Sequence, residues 1–188
     1  MPHDPAKPRF FVALTLPADA HDYANRVIRE LGDRYQTRTA KAPPHITLQP
    51  PFLWEMGAIA DLEKVIDAVA QSHSPIPISL SGFSAFKPRV LYINVGKTEG
   101  LLTLQTNLRL ELERQLDILD PKAKSRAFSP HVTVASRNMT PQIFKRVWAE
   151  LEPRQVSFEF VSDRLTLLIH DGHQWQVRSQ FTFANIPA

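Results

Sequence analysis

The amino-acid sequence predicts an α+β fold: a bilobal molecule with pseudo-duplicated antiparallel sheets, helices on their outer faces and a central cleft. Three observations carry this. Strand and helix patterns alternate in an order that occurs twice, a His-x-Thr strand falls at the same place in each copy, and the C-terminal part alternates apolar and polar residues around an Asp-Gly turn. At 188 residues the chain suits one domain or two small lobes packed together, and we read 1–188 as a single bilobal domain with 1–9 as a flexible tail.

In the first copy, residues 10–16 (FFVALTL) have strand composition, and Pro17 opens a helical pattern in which Ala20, Tyr23, Val27, Ile28 and Leu31 share a face. A short strand, His45-Ile-Thr-Leu, follows and is broken by Pro50-Pro51, before an amphipathic helix over 57–71. The second copy begins with strands at 76–83 and 89–95, joined by a loop over 84–88. A helix over 100–118 carries leucines at 101, 104, 108, 112 and 116, and a basic loop then leads to the strand His131-Val-Thr-Val. Thr140 caps one more helix, with Pro141 at its first position. Strands at 155–162, 165–170 and 174–183 complete the antiparallel sheet, with a hairpin at Asp171-Gly172.

Composition excludes several classes of chemistry. With no Cys there is no disulfide, thiolate nucleophile or Cys-based zinc site, and a reducing cytoplasm is acceptable. Residues 1–9 hold three prolines and several charges where a signal peptide needs an apolar run, and no stretch approaches membrane-spanning length. A cytoplasmic protein without membrane or obligate protein partners is expected. The formal net charge of +3 suits an anionic ligand.

Of the seven histidines only His45 and His131 have a threonine two positions later, Thr47 and Thr133, and each follows a proline, Pro44 or Pro130. Residues i and i+2 of a strand share a face, so each tetrad projects an imidazole and a hydroxyl together while Ile46, Leu48, Val132 and Val134 turn to the core. Cleaving a phosphodiester without a metal needs a base for water, an acid for the departing oxygen and donors for the charged oxygens. Two imidazoles, with unperturbed pKa of about 6.5, divide the base and acid roles near neutral pH. The hydroxyls hold the phosphate. A lone tetrad reads equally well as a hydrogen-bonded strand histidine beside a β-forming threonine; two in equivalent places of a repeat favour catalysis. His131 is the expected base and His45 the expected acid, and neither a metal nor a cofactor is called for.

At these residues the sequence resembles the two-histidine (2H) phosphoesterase superfamily, in particular its LigT-like branch of RNA 2′,3′-cyclic phosphodiesterases and 2′-5′ RNA ligases. The resemblance spans nearly the whole chain and rests on FFVALTLP near the start, PPHITL at 43–48, FKPRVLYINV at 86–95 and FSPHVTVASR at 128–137. It implies a bilobal fold with both motifs facing a cleft, catalysis by His45 and His131 with Thr47 and Thr133 on the phosphate, and no metal or cofactor. The implied substrates are cyclic phosphates at RNA ends or in nucleotides, opened to a 2′-phosphomonoester, with 2′-5′ joining as the reverse reaction. Phosphodiesterase action on 2′-5′ oligoadenylate and non-catalytic sensing of a nucleotide or RNA are the alternatives. The family's Leu-Ala-Arg after the second motif is here Val134-Ala135-Ser136-Arg137, a one-residue shift that turns Arg137 to the opposite face of a regular strand.

Other residues have plain readings beside functional ones. Lys122, Lys124 and Arg126 form a basic run that suits a solvated loop or an RNA backbone at the cleft mouth. Phe52, Trp54 and Phe128 suit core packing or base stacking. His170 and His173 are expected to face each other across the hairpin rather than hold a metal. Gly96-Lys97-Thr98 imitates the end of a phosphate-binding loop but lacks its first glycine, and Asn138-Met-Thr is a glycosylation sequon without a secretory context. His3, His21 and His73 read as surface residues.

Overall fold

A computed structural model describes residues 4–120 and 127–184. In chain order it contains β1 (Arg9–Thr15), α1 (Ala18–Tyr35), β2 (His45–Leu53), α2 (Ile59–Gln71), β3 (Ile76–Phe86), β4 (Val90–Val95), α3 (Glu99–Leu116), β5 (His131–Ala135), α4 (Pro141–Leu151), β6 (Ser157–Ser162), β7 (Arg164–His170) and β8 (Trp175–Thr182). They form two four-stranded antiparallel sheets, ordered β2-β1-β7-β8 and β5-β4-β3-β6. This is the expected α+β fold, with its repeat visible in the topology. β1-α1-β2 corresponds to β4-α3-β5, and each His-x-Thr strand is an edge strand paired with the strand that precedes its own helix. Thr15 lies opposite His45, and Asn94 opposite His131.

The likeness reaches the helix ends. α1 and α3 are each 18 residues long and end on a non-glycine residue in the left-handed conformation, Gln36 (φ 56°) and Asp117 (φ 54°). In both, the amide of that residue bonds a carbonyl four residues back, satisfying an otherwise open helix end.

Alternation along the strands builds the core. Phe10, Val12 and Leu14 of β1 enter the main core, which also takes Ile46, Leu48, Val132 and Val134. α3 contributes Leu101, Leu104, Leu108 and Leu112 at helical spacing, none of them exposed. Truncating one such residue, as in Leu108→Ala, costs about 2–5 kcal/mol through lost transfer energy and the cavity left behind. The opposite face of β1 carries Phe11 and Ala13, which join Leu168 and Trp175 in a smaller cluster.

Each helix following a first strand also touches the other half: α1 lies against β5 and α3 against β2. Arg38 pairs with Arg137 in an isolated antiparallel bridge, and the Asn138 side chain donates to the Gln36 carbonyl. Between α1 and α4, Arg34 grips Glu150 and Arg154 grips Glu30, each through two hydrogen bonds, and the two arginines hold the Glu30 carboxyl below its ordinary range, Arg154 foremost.

Two local expectations change. Pro50-Pro51 does not end β2, which continues to Leu53, because an edge strand tolerates proline and a register shift between Gln49 and Phe52 absorbs the irregularity. The chain at 171–174 is a four-residue loop, so His170 faces Trp175 and not His173; Asp171 organises the loop by accepting the His173 and Gln174 amides, which lowers its pKa to about 2. Ahead of β1, the Ala6 and Pro8 carbonyls accept hydrogen bonds from the Met56 and Trp54 amides, and Pro8 is buried. No helix among the described residues is long and apolar enough to cross a membrane.

Candidate active site

His45 and His131 each open an edge strand, and the two residues before each of them set its ring. The His45 Nδ1 donates to the Pro43 carbonyl at 2.7 Å, and the His131 Nδ1 donates to the Ser129 carbonyl at 2.7 Å. Pro44 and Pro130, both buried, stand between donor and acceptor and hold the preceding residue extended, which turns its carbonyl back to the ring. Since a carbonyl only accepts, each Nδ1 keeps its hydrogen, and Nε2 is the atom that changes protonation.

The walls of the two rings differ. The His45 ring lies on Phe11 at 4.6 Å between centroids, and Trp175 meets Phe11 edge-on at 4.6 Å. The Trp175 amide in turn donates to the Lys41 carbonyl, fixing the loop before β2. His131 is flanked by Phe86 and Tyr92, each at 5.0 Å. Burial pushes the His45 pKa below its ordinary value; the bond to Pro43 opposes the shift and the charge of His131 adds to it, so the two rings sense each other.

His45, Thr47 and Thr133 line a cavity of about 200 Å³, with Phe11 and Trp175 among its walls. His131 and Thr47 line a groove of about 900 Å³ along α3. Thr47 and Pro51 belong to both, so the two spaces adjoin and all four tetrad residues border one cleft. Strand alternation thus turns all four side chains towards these adjoining spaces.

Among the other candidates, Phe128 lines the groove, whereas Phe52 and Trp54 pack on the core and line neither space. Arg137 is exposed and also lines neither, while its neighbour Ser136 faces the smaller cavity. A register shift between β4 and β5 explains this: it drives Ala135 into the core and brings Ser136 round to the cavity. Lys122, Lys124 and Arg126 lie outside the described residues. Gly96-Lys97-Thr98 is a strand end and a helix cap, with the Thr98 hydroxyl accepting from the Leu101 amide. His21 contacts Asn25, and His73 contacts the Val69 carbonyl and Asn107, all away from the cleft. Sequence reading missed Ser136, Thr39, Phe11 and Trp175 at the smaller cavity and Lys97, Gln105 and Arg109 at the groove. No group of three or more His, Asp or Glu residues placed to hold a metal ion occurs among the described residues.

Residues 17–174 match the family model described as the 2′-5′ RNA ligase superfamily. A candidate phosphoesterase of Geobacillus thermodenitrificans (strain NG80-2) is 30% identical over 163 residues, covering 85% of this chain and 87% of that protein. One of Bacillus licheniformis is 30% identical over 151 residues, covering 79% and 85%. Among solved structures, a Thermus thermophilus protein has a TM-score of 0.67 at 20% identity, covering 93% of this chain and 97% of that one. Escherichia coli LigT complexed with 3′-AMP has a TM-score of 0.63 at 16% identity, covering 94% and 98%. The structural likeness bears on the fold; the sequence matches bear on the family.

Proposed function

The chain belongs to the 2′-5′ RNA ligase superfamily of two-histidine phosphoesterases, and we propose that it is a metal-independent cytoplasmic phosphodiesterase that opens 2′,3′-cyclic phosphates at RNA ends or in nucleotides to 2′-phosphomonoesters. The observation that carries this reading is the matched pair of Nδ1-to-carbonyl bonds, which reserves Nε2 of both rings for proton transfer in a cleft shared with Thr47 and Thr133.

With the cyclic phosphate between the rings, the threonine hydroxyls donate to its non-bridging oxygens. One Nε2 takes a proton from water as the new P–O bond forms. The other gives its proton to the 3′-oxygen as the old bond breaks. Run backwards with a 5′-hydroxyl in place of water, the same groups form a 2′-5′ linkage.

The smaller cavity, walled by Phe11 and Trp175, suits the terminal nucleoside, and this puts the departing 3′-oxygen beside His45. His45 is then the acid and His131 the base. The lowered pKa of His45 pulls the other way, because burial disfavours its charged form in the free protein. The acid role for His45 is still favoured, since the anionic substrate itself supplies charge that stabilises its protonated form.

The test is incubation with 2′,3′-cyclic AMP in EDTA. A 2′-phosphate product is expected; turnover that stops in EDTA and returns with a divalent ion overturns the mechanism, and binding without turnover identifies a sensor instead. A substrate with an activated leaving group needs no acid, so it restores activity to His45→Ala and not to His131→Ala. Rescue of His131→Ala reverses the assignment.

A further inference from the structure

Each tetrad ends in the same irregularity. Across the β1-β2 ladder Ala13 lies opposite Thr47 and Val12 opposite Gln49, so Leu48 is an extra residue without a cross-strand partner. Across β4-β5, Tyr92 lies opposite Thr133 and Leu91 opposite Ala135, which leaves Val134 as the extra residue. Both are β-bulges at the fourth residue of a tetrad, and both send two consecutive residues inward, Leu48 with Gln49 and Val134 with Ala135. A bulge bends its strand and re-aims the neighbouring side chains, here the threonine just before it.

The two bulges are held differently. Each tetrad strand is touched by the helix of the opposite half, β2 by α3 and β5 by α1. The two helices run in step from Ala18 and Glu99 to their left-handed caps at Gln36 and Asp117, which matches Ala24 with Gln105. Gln105 is 9% exposed, and its Nε2 donates to the Leu48 carbonyl at 3.3 Å, so a side chain of the second half ties down the bulge of the first. Ala24, at the matching place over the Val134 bulge, has no side-chain donor. Gln49, the residue after Leu48, is 1% exposed, and its side-chain nitrogen and oxygen form no hydrogen bond among the described residues. That leaves Gln105 as the side chain that anchors this stretch. Away from water such a bond is strong, and it sets the direction of the oxygen it holds.

We propose that Gln105 is a positioning residue for Thr47: by holding the Leu48 carbonyl it fixes the bulge, and with it the direction in which the Thr47 hydroxyl meets the phosphate. The inference rests on the proposed phosphodiesterase chemistry and adds to it a residue that acts through the backbone of β2. Thr47 borders both the smaller cavity and the groove, so its direction matters on either side. A small misplacement of such a donor costs rate more than binding. The two threonines are then set by unlike means, Thr47 by a hydrogen bond from the other half and Thr133 without one from the matching helix position.

The full chain is assayed on 2′,3′-cyclic AMP with Gln105→Met, which keeps the volume and removes the donor. kcat is expected to fall about 3-fold to 10-fold, the worth of one buried hydrogen bond, while KM changes by less than about 2-fold. In a double-mutant cycle the same change should add less than about 2-fold to the loss caused by Thr47→Val, because the hydroxyl it positions is already gone. With Thr133→Val the two losses should multiply in full. Backbone NMR signals of Thr47 and Leu48 should shift in the variant, while those of Thr133 and Val134 stay. If Gln105→Met does not fold, Gln105→Leu takes its place in the same cycle. A raised KM with unchanged kcat would make Gln105 a substrate contact, and full multiplication with Thr47→Val, or no loss at all, would equally overturn the positioning role. Absence of wild-type turnover on cyclic AMP overturns the parent reading; the NMR signals of Thr47 then decide whether Gln105 sets the bulge.

Discussion

The two half-sites use one device for the histidine and two for what surrounds it. Both rings start an edge strand, both follow a buried proline and both bond the carbonyl two residues back at 2.7 Å. Beside His45, however, Phe11 and Trp175 wall a cavity of about 200 Å³, whereas His131, against Phe86 and Tyr92, opens on a groove of about 900 Å³. The setting of each imidazole is the same in both halves; the walls beside it are not.

The largest expected effect treats the halves as a unit. His45→Ala and His131→Ala should each lower kcat by about 10³-fold or more, and the double variant should be only slightly worse, since neither role is useful alone. Single-turnover assays check this, and a single variant with near wild-type rates would break the pairing. Next, Thr47→Val and Thr133→Val should each cost about 10²-fold to 10³-fold, as for a lost oxyanion donor; unequal losses would show which half holds the phosphate more tightly. Thr47, which borders both spaces, is expected to be the more costly.

A third prediction sharpens the difference in the walls. kcat/KM should follow a bell-shaped pH profile that belongs to the coupled pair. With His45 as acid, activity is present below its folded pKa and falls as pH rises through it, and because burial lowers that pKa the falling limb lies below the ordinary histidine value of about 6.5. Phe11→Ala, by admitting water to the ring, should raise the His45 pKa and move that limb to higher pH; NMR titration of the imidazole measures it independently. A limb that stays in place would remove burial as the cause. The smallest effect concerns the joint between halves. Arg154→Ala should cost at most about 1 kcal/mol in denaturant unfolding, because its pair with Glu30 is partly exposed and Arg34 grips Glu150 alongside.

The tetrads were legible because strand alternation is local: knowing only that His45 and His131 lie in strands, residue spacing puts Thr47 and Thr133 on the same face. The duplication was legible for a related reason, since order along the chain survives even where residue identity does not. Ser136 was hidden because the β4-β5 register shift resets the alternation just before it. The continuation of β2 through Pro50-Pro51 depends on that strand lying at a sheet edge, which is a property of the assembled sheet. Phe11 and Trp175 meet only because β7 is placed between β1 and β8, and no short-range pattern announces that order.

The two Nδ1 bonds also govern how the protein recovers between turnovers. Because each Nδ1 hydrogen is committed to a carbonyl, only one exchangeable proton circulates between the rings, and under the proposed roles each hydrolysis leaves it on the ring opposite to where it began. The enzyme that releases product is thus an isomer of the enzyme that bound substrate, poised for the reverse reaction until solvent carries the proton back. Under those roles His131 can lose its proton to solvent across the groove, while the buried His45 regains one from the smaller cavity, and this gives the resting step a direction.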